Sequence, residues 1–155
     1  MELELDFIQK LTGENRNEKN LRCECCGRLM VIYHRPINSN MAFTLLQLYR
    51  HKEFNFVHVE RWLKEKGYPR SGDFHKLIYW GFLEKKHEER EDGCKYNGYY
   101  KITGRGIMFC ENKITAKEKA QIYNNKFLGF EGKEITIQDA LGKKFNYSEL
   151  MSETI

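Results

Sequence analysis

No apolar run in this sequence approaches the ~20 residues that a bilayer-spanning helix needs. The N-terminus, MELELDFIQK, is acidic where a secretory leader would set basic residues before an apolar stretch. Internal repeats and low-complexity tracts are missing too. So are a Walker loop, a dinucleotide fingerprint, a His-Glu-x-x-His helix and a Gly-x-Ser-x-Gly elbow. No spacing of Cys and His suggests a nucleophile beside its base. Together these absences lead us to expect a soluble, cytoplasmic protein that is not an enzyme and has no membrane partner. Cysteine is not scarce, but the five residues are odd in number, and three crowd into Cys23, Cys25 and Cys26. Without an export signal, a disulfide framework is not expected. Metal binding and plain buried thiols are the two open readings.

The chain has 155 residues, 41% of them hydrophobic and 14% aromatic, which is enough apolar material for a core and far from a disordered composition. The net charge of +4 is unevenly placed. Residues 1–40 carry six basic and six acidic side chains and residues 107–155 carry seven of each, so the whole excess falls in residues 41–106, with thirteen against nine. A local excess of this kind favours a polyanionic partner without demanding one, because a solvated surface slightly richer in Lys has the same arithmetic.

Leu3, Phe7, Ile8 and Leu11 have the spacing of a short amphipathic helix. A polar loop over residues 12–20 and a strand-like run ending at Pro36 follow. Asn38 to Asn40 can cap a helix beginning near Met41, with Met41, Leu45, Leu48 and Tyr49 along one face. His58 to Lys66 reads as a second helix with Val59, Trp62 and Leu63 inward and Gly67 as its stop. Ser71 can cap a third, with Asp73 in its first turn, Phe74, Leu77 and Ile78 facing the core, and Gly81 ending it. Phe82 to Lys86 then reads as a strand, residues 88–97 as a charged loop with Asp92-Gly93 and Asn97-Gly98 turns, and Tyr99 to Ile102 as the returning strand. Thr103 can cap a helix through about Cys110. The C-terminal part suggests a hairpin turned at Asn124-Asn125, a short helix capped by Thr136, and another capped by Asn146 or Ser148. The expected organisation is an N-terminal cysteine-bearing segment (1–40), a winged helix-turn-helix domain of the α+β class (41–110), and a C-terminal extension (111–155). That extension either packs on the domain or offers a homodimer surface.

The run HKLIYWGFLEKK followed by GYYKITGRG resembles the third helix and wing of winged-helix DNA-binding domains. The family's return motif, Tyr-x-[Leu/Ile]-Thr-x-x-Gly, is matched in full by Tyr100-Lys101-Ile102-Thr103-Gly104-Arg105-Gly106. The longer order of CECCGRLM, NSNMAFTLLQLYR, SGDFHKLIYWGFLE and ITIQDALGKKFNYSELM resembles a family of small phage- or prophage-encoded proteins. This second resemblance implies a phage or bacterial setting and brings no assigned activity or site residues.

The winged-helix resemblance implies that the third helix enters the major groove while the wing lies on the backbone. Its candidate contacts to double-stranded DNA are Arg70, His75, Lys76, Tyr79, Lys85, Lys86 and Arg90, with Arg105 after the return strand. Against this, the helix offers one firm cation beside one anion, and the wing interleaves Glu88, Glu89, Glu91 and Asp92 with its basic residues. A protein-interaction adaptor on the same fold, with no nucleic-acid binding, is the competing expectation. Cys23 and Cys26, followed by Gly27, form a knuckle of the kind that presents two thiolates to zinc, with His34 as third ligand. A closed structural site needs a fourth ligand, which the spacing does not supply; reduced thiols without metal are the alternative. The aromatics Trp62, Phe74, Trp80, Phe82, Tyr99 and Tyr100 suit a core better than a base-stacking platform. Tyr79 and Trp80 are the expected exceptions, because Phe74, Leu77 and Ile78 already supply the inner face.

Overall fold

The computed structural model describes residues 31–86, 98–123 and 126–153, which form a mixed α+β protein of two compact units. The N-terminal helix, the cysteine knuckle and the wing tip with Arg90 lie outside the described residues, as does the Asn124-Asn125 turn. The larger unit takes residues 37–118 and 133 onward; the smaller takes residues up to 36 together with 119–132.

The larger unit is built around α1 (Ser39–Arg50). Asn38 starts it, its side chain accepting a hydrogen bond from the Met41 amide at 2.8 Å, so one orphan donor of the first turn is satisfied. The expected single inward face is too narrow: every residue from Met41 to Leu48 is buried, Thr44 and Gln47 included. Helices and strands on several sides of α1 explain this, since it packs against the 3₁₀ helix, β4, α3 and α4 defined below. Its buried polar groups are largely tied back to the helix itself. Thr44 donates to the Asn40 carbonyl at 2.9 Å, and Gln47 Oε1 accepts from Arg50 at 2.8 Å.

A two-residue strand, β2 (Val57–His58), precedes α2 (Val59–Lys66), whose Val59, Trp62 and Leu63 are buried as expected. Gly67 closes α2 at φ 72, a left-handed conformation that costs glycine little. The third helix is a 3₁₀ helix over Phe74–Trp80 rather than an α-helix, and no side chain caps it. Ser71 lies just before it, buried, its hydroxyl without a hydrogen-bond partner among the described residues. The helix type redistributes the core. With three residues per turn, positions i, i+3 and i+6 fall in line, so Phe74, Leu77 and Trp80 are buried while Ile78 is 37% exposed. Ile78 and Trp80 have therefore exchanged the roles the α-helical spacing gave them. Trp80 also satisfies its indole N–H internally, donating to the Lys117 carbonyl at 2.8 Å.

Strands β3 (Leu83–Lys85) and β4 (Tyr99–Ile102) form an antiparallel sheet with β2, in the order β2-β4-β3. Val57 pairs with Tyr100 and Leu83 with Ile102. After β4 the chain enters α3 (Gly104–Cys110), and this junction gives the Tyr-x-Ile-Thr-x-x-Gly motif a physical meaning. Tyr100 and Ile102 point into the core. Thr103 caps α3 by accepting from the Gly106 amide at 3.1 Å, and its hydroxyl donates to the Gly81 carbonyl. Gly106 lets α3 close on the backbone just before β3: a Cβ there would sit 2.5 Å from the Phe82 carbonyl oxygen. Phe109 then stacks on Phe82, ring centroids 4.6 Å apart. The unit is completed by α4 (Ile137–Leu141), with a capping box between Thr136 and Asp139, and α5 (Tyr147–Ser152), capped by Asn146.

The smaller unit is a three-stranded antiparallel sheet in the order β1-β5-β6. Its strands are β1 (Tyr33–Pro36), β5 (Ala116–Tyr123) and β6 (Lys126–Ile135); only residues 119–123 and 126–132 of the last two belong to this unit. Side chains alternate across a strand. Ala120 and Ile122 are buried on one side, while Gln121, paired in register with His34, turns to the other. There Glu131 receives Gln121 Nε2 at 2.9 Å on one carboxylate oxygen and contacts His34 Nδ1 with the second.

Candidate nucleic-acid interface

The exposed side of the 3₁₀ helix is the surface the sequence singled out, and it is built by the same period that fills the core. With Phe74, Leu77 and Trp80 inward, His75 and Ile78 form an outward row, flanked by the half-exposed Lys76 and Tyr79. His75, Ile78 and Tyr79 line a groove of about 350 Å³ together with Lys85 on β3, Tyr100 on β4 and Glu60 on α2. Three of the sequence-predicted contacts thus meet in one place: His75, Tyr79 and Lys85. Arg70 is exposed in the link between α2 and the 3₁₀ helix and lines a neighbouring groove of about 440 Å³ with Arg61, Lys64, Tyr68 and, again, Glu60. Lys76 lines neither. Lys86 lies at the end of β3, its ammonium 5.5 Å from the Tyr99 ring centroid and its amide donating to the Tyr99 carbonyl at 3.0 Å.

Two features of the groove were not visible in the sequence. Glu60 belongs to α2, and only the packing of α2 beside the 3₁₀ helix brings a carboxylate to a surface otherwise rich in cations. Ile78 was assigned to the core by α-helical spacing. Arg105 has a structural use: its Nε donates to the Trp80 carbonyl at 3.4 Å, and its guanidinium lies 6.0 Å from the Phe82 ring centroid.

Electrostatics sharpen the picture. His75 has its pKa lowered, first by desolvation and then by the Lys76 charge, against the opposing pull of Asp73, the Gly72 backbone and Glu60. The ring is therefore neutral at pH 7 and acts through its nitrogen lone pair and N–H rather than as a cation. The firm cations around the groove are Lys and Arg. Over residues 57–86 and 98–106 the sequence carries nine Lys and Arg against four Asp and Glu. On this surface Glu84 is 3.5 Å from Lys101, which leaves Glu60, Glu65 and Asp73 as the other anions.

Of the expected metal ligands, Cys23 and Cys26 lie outside the described residues. His34 stands on β1 with Nδ1 engaged by Glu131. Among the described residues no group of three or more His, Cys, Asp or Glu is arranged to hold a metal ion. Cys110, in α3, is buried, and burial followed by the Glu111 charge pushes its thiol far above the usual range. No helix among the described residues is long and apolar enough to cross a membrane.

Comparison of the chain with protein-family models, with curated proteins and with solved structures gave no match. What fold and site define at this point is a class, a mixed α+β protein.

Proposed function

We propose that the larger unit is a winged helix that binds double-stranded DNA, with the 3₁₀ helix as its reading element, in a regulatory or accessory role in a phage or bacterial setting. Its element order supports this reading: helix, short strand, helix, helix, then two strands whose connection would form the wing. So does the sheet order, in which the returning strand β4 lies between β2 and β3. The observation that carries the proposal is the local charge excess, nine Lys and Arg against four Asp and Glu over residues 57–86 and 98–106, the elements that hold and adjoin the 3₁₀ helix. Arg70, Lys76, Lys85 and Lys86 supply phosphate contacts, and His75 and Tyr79 supply neutral hydrogen-bonding groups between them. The role proposed is binding, not catalysis.

The competing reading is a protein-docking adaptor. It draws on Ile78, an exposed apolar side chain at the centre of the face, and on Glu60, which faces both grooves. Salt separates the two. Four or five phosphate contacts make duplex affinity fall about 10²–10³-fold between about 50 and 200 mM salt, through counterion release. Fluorescence anisotropy with labelled random duplex tests this directly. Lys76→Ala should then weaken binding across sequences and lower the log–log salt slope by about one. Absence of binding at tens of micromolar in low salt would reject the DNA reading and leave the adaptor.

A further inference from the structure

Resting on the DNA-binding reading above, we propose that Ile78 reads thymine methyl groups in the major groove, so that the protein selects sites with A·T pairs at the position beneath it. Three observations converge on this residue. First, the 3₁₀ period turns Ile78 outward, 37% exposed, in line with His75 on a helix whose other apolar residues at that spacing are buried. One 3₁₀ turn advances about 6 Å, close to two base steps of about 3.4 Å, so the two side chains of the row address bases about two steps apart.

Second, Ile78 shares its groove with Glu60. The Glu60 carboxylate would repel a phosphate set beside it in that groove, whereas it would not repel a neutral base edge. The part of the groove beside Glu60 is therefore better suited to bases than to backbone; of the cations that hold backbone, Lys85 lines the same groove, and Arg70 in the preceding link, Lys76 on the helix flank and Lys86 just after β3 stand outside it. Third, besides the charged Glu60 and Lys85, the groove offers the neutral hydrogen-bonding groups of His75, Tyr79 and Tyr100 and one aliphatic branch, Ile78. In the major groove the C5-methyl of thymine is the apolar feature that distinguishes it, and an aliphatic side chain is its ordinary complement. Neither cytosine nor uracil carries that methyl.

The test uses the full chain and duplexes enriched from a pool with a randomised core, resynthesised with deoxyuridine replacing thymine at each position in turn. At one position or more, loss of the methyl should weaken binding about three- to fivefold, the worth of one buried methyl group. Ile78→Ala should bind the deoxyuridine duplex as tightly as the wild type does and should no longer distinguish the two. Circular dichroism establishes that the variant is folded, and the wild-type comparison stands without it. Enriched cores without thymine, or equal affinity for both duplexes, would overturn the assignment while leaving the DNA reading intact. Discrimination that survives in Ile78→Ala would move it to another residue. Failure to bind any duplex in low salt would overturn the DNA reading itself, and this inference with it.

Discussion

Two helices of the same unit put similar apolar content to opposite uses. In α1, eight consecutive residues from Met41 to Leu48 are buried; Thr44 Oγ1 and Gln47 Oε1 bond within their own helix, while Gln47 Nε2 is buried without a partner among the described residues. In the 3₁₀ helix only every third residue is buried, and the remainder form a face of mixed chemistry over a groove. The difference lies in neighbours more than in residue types. α1 packs against elements on several sides, whereas the 3₁₀ helix rests on the core by one row. A helix enclosed on several sides serves mainly to hold the unit together. One that sits on the core by a single row leaves four of its seven side chains outside the core, and its tight winding lines up His75 and Ile78 instead of spiralling them apart.

The largest expected effect tests that contrast. Leu45→Ala removes a fully buried side chain from α1 and should cost ~2–5 kcal/mol, the range for large-to-small changes in a close-packed core. Ile78→Ala, on the outward row, should cost less than ~1 kcal/mol. Urea denaturation of the two variants checks this. Comparable losses would mean that Ile78 is part of the core and that the outward row is wrongly drawn.

Next in size is the seat of α3 on Phe82 and Ile102. In Gly106→Ala the added Cβ would lie 2.5 Å from the Phe82 carbonyl oxygen and 2.8 Å from Ile102 Cγ1. The backbone oxygen cannot swing aside as a side-chain end could. Overpacking of this kind costs ~1–3 kcal/mol, against up to ~1 kcal/mol that alanine returns through helix propensity. A lower thermal midpoint is expected. A higher one would show that α3 and the Phe82 backbone do not approach so closely, and the motif would then lose its physical explanation.

How much could be read beforehand follows from the range of each interaction. The caps at Asn38, Thr103, Thr136 and Asn146, and the stop at Gly67, are legible because each is a contact between residues a few positions apart. β4 and α2 were legible from alternation and spacing. β2 was not: two residues show no period, and the strand exists through pairing with Tyr99 and Tyr100, some forty positions on. The choice between α and 3₁₀ for Phe74–Trp80 was equally hidden. Phe74 and Leu77 satisfy both periods, and only the placement of Ile78 and Trp80 separates them, which tertiary packing decides. At the site, the cations were visible as composition, but Glu60 was not, because it reaches the groove from a different helix. His34 was singled out for a metal, and its contact with Glu131, 97 residues away, could not be foreseen from sequence.

The smallest effect concerns acid, and it separates structural from surface histidines within one unit. His51, just past α1, lies 2.7 Å from the Tyr68 hydroxyl through Nε2 and edge-on to Trp62 at 5.2 Å between centroids. Its pKa is lowered, by desolvation first and then by the Lys66 and Arg50 charges, with Glu53 opposing. The folded state therefore prefers the neutral ring more strongly than the unfolded chain does. That preference stabilises the fold fully above the unfolded pKa of about 6.5 and is lost as pH falls through the lower folded value. The thermal midpoint should drop between pH 7.5 and pH 5 by more in the wild type than in His51→Gln. His75 is depressed in the same direction and must be controlled with His75→Gln, a surface change expected to leave the midpoint at pH 7.5 unmoved. If His75→Gln flattens the pH profile and His51→Gln does not, the acid-sensitive ring sits on the exposed face and not beside α1. Duplex binding would then be the property to follow as the pH is lowered, since protonation of His75 adds a cation between Lys76 and Lys85.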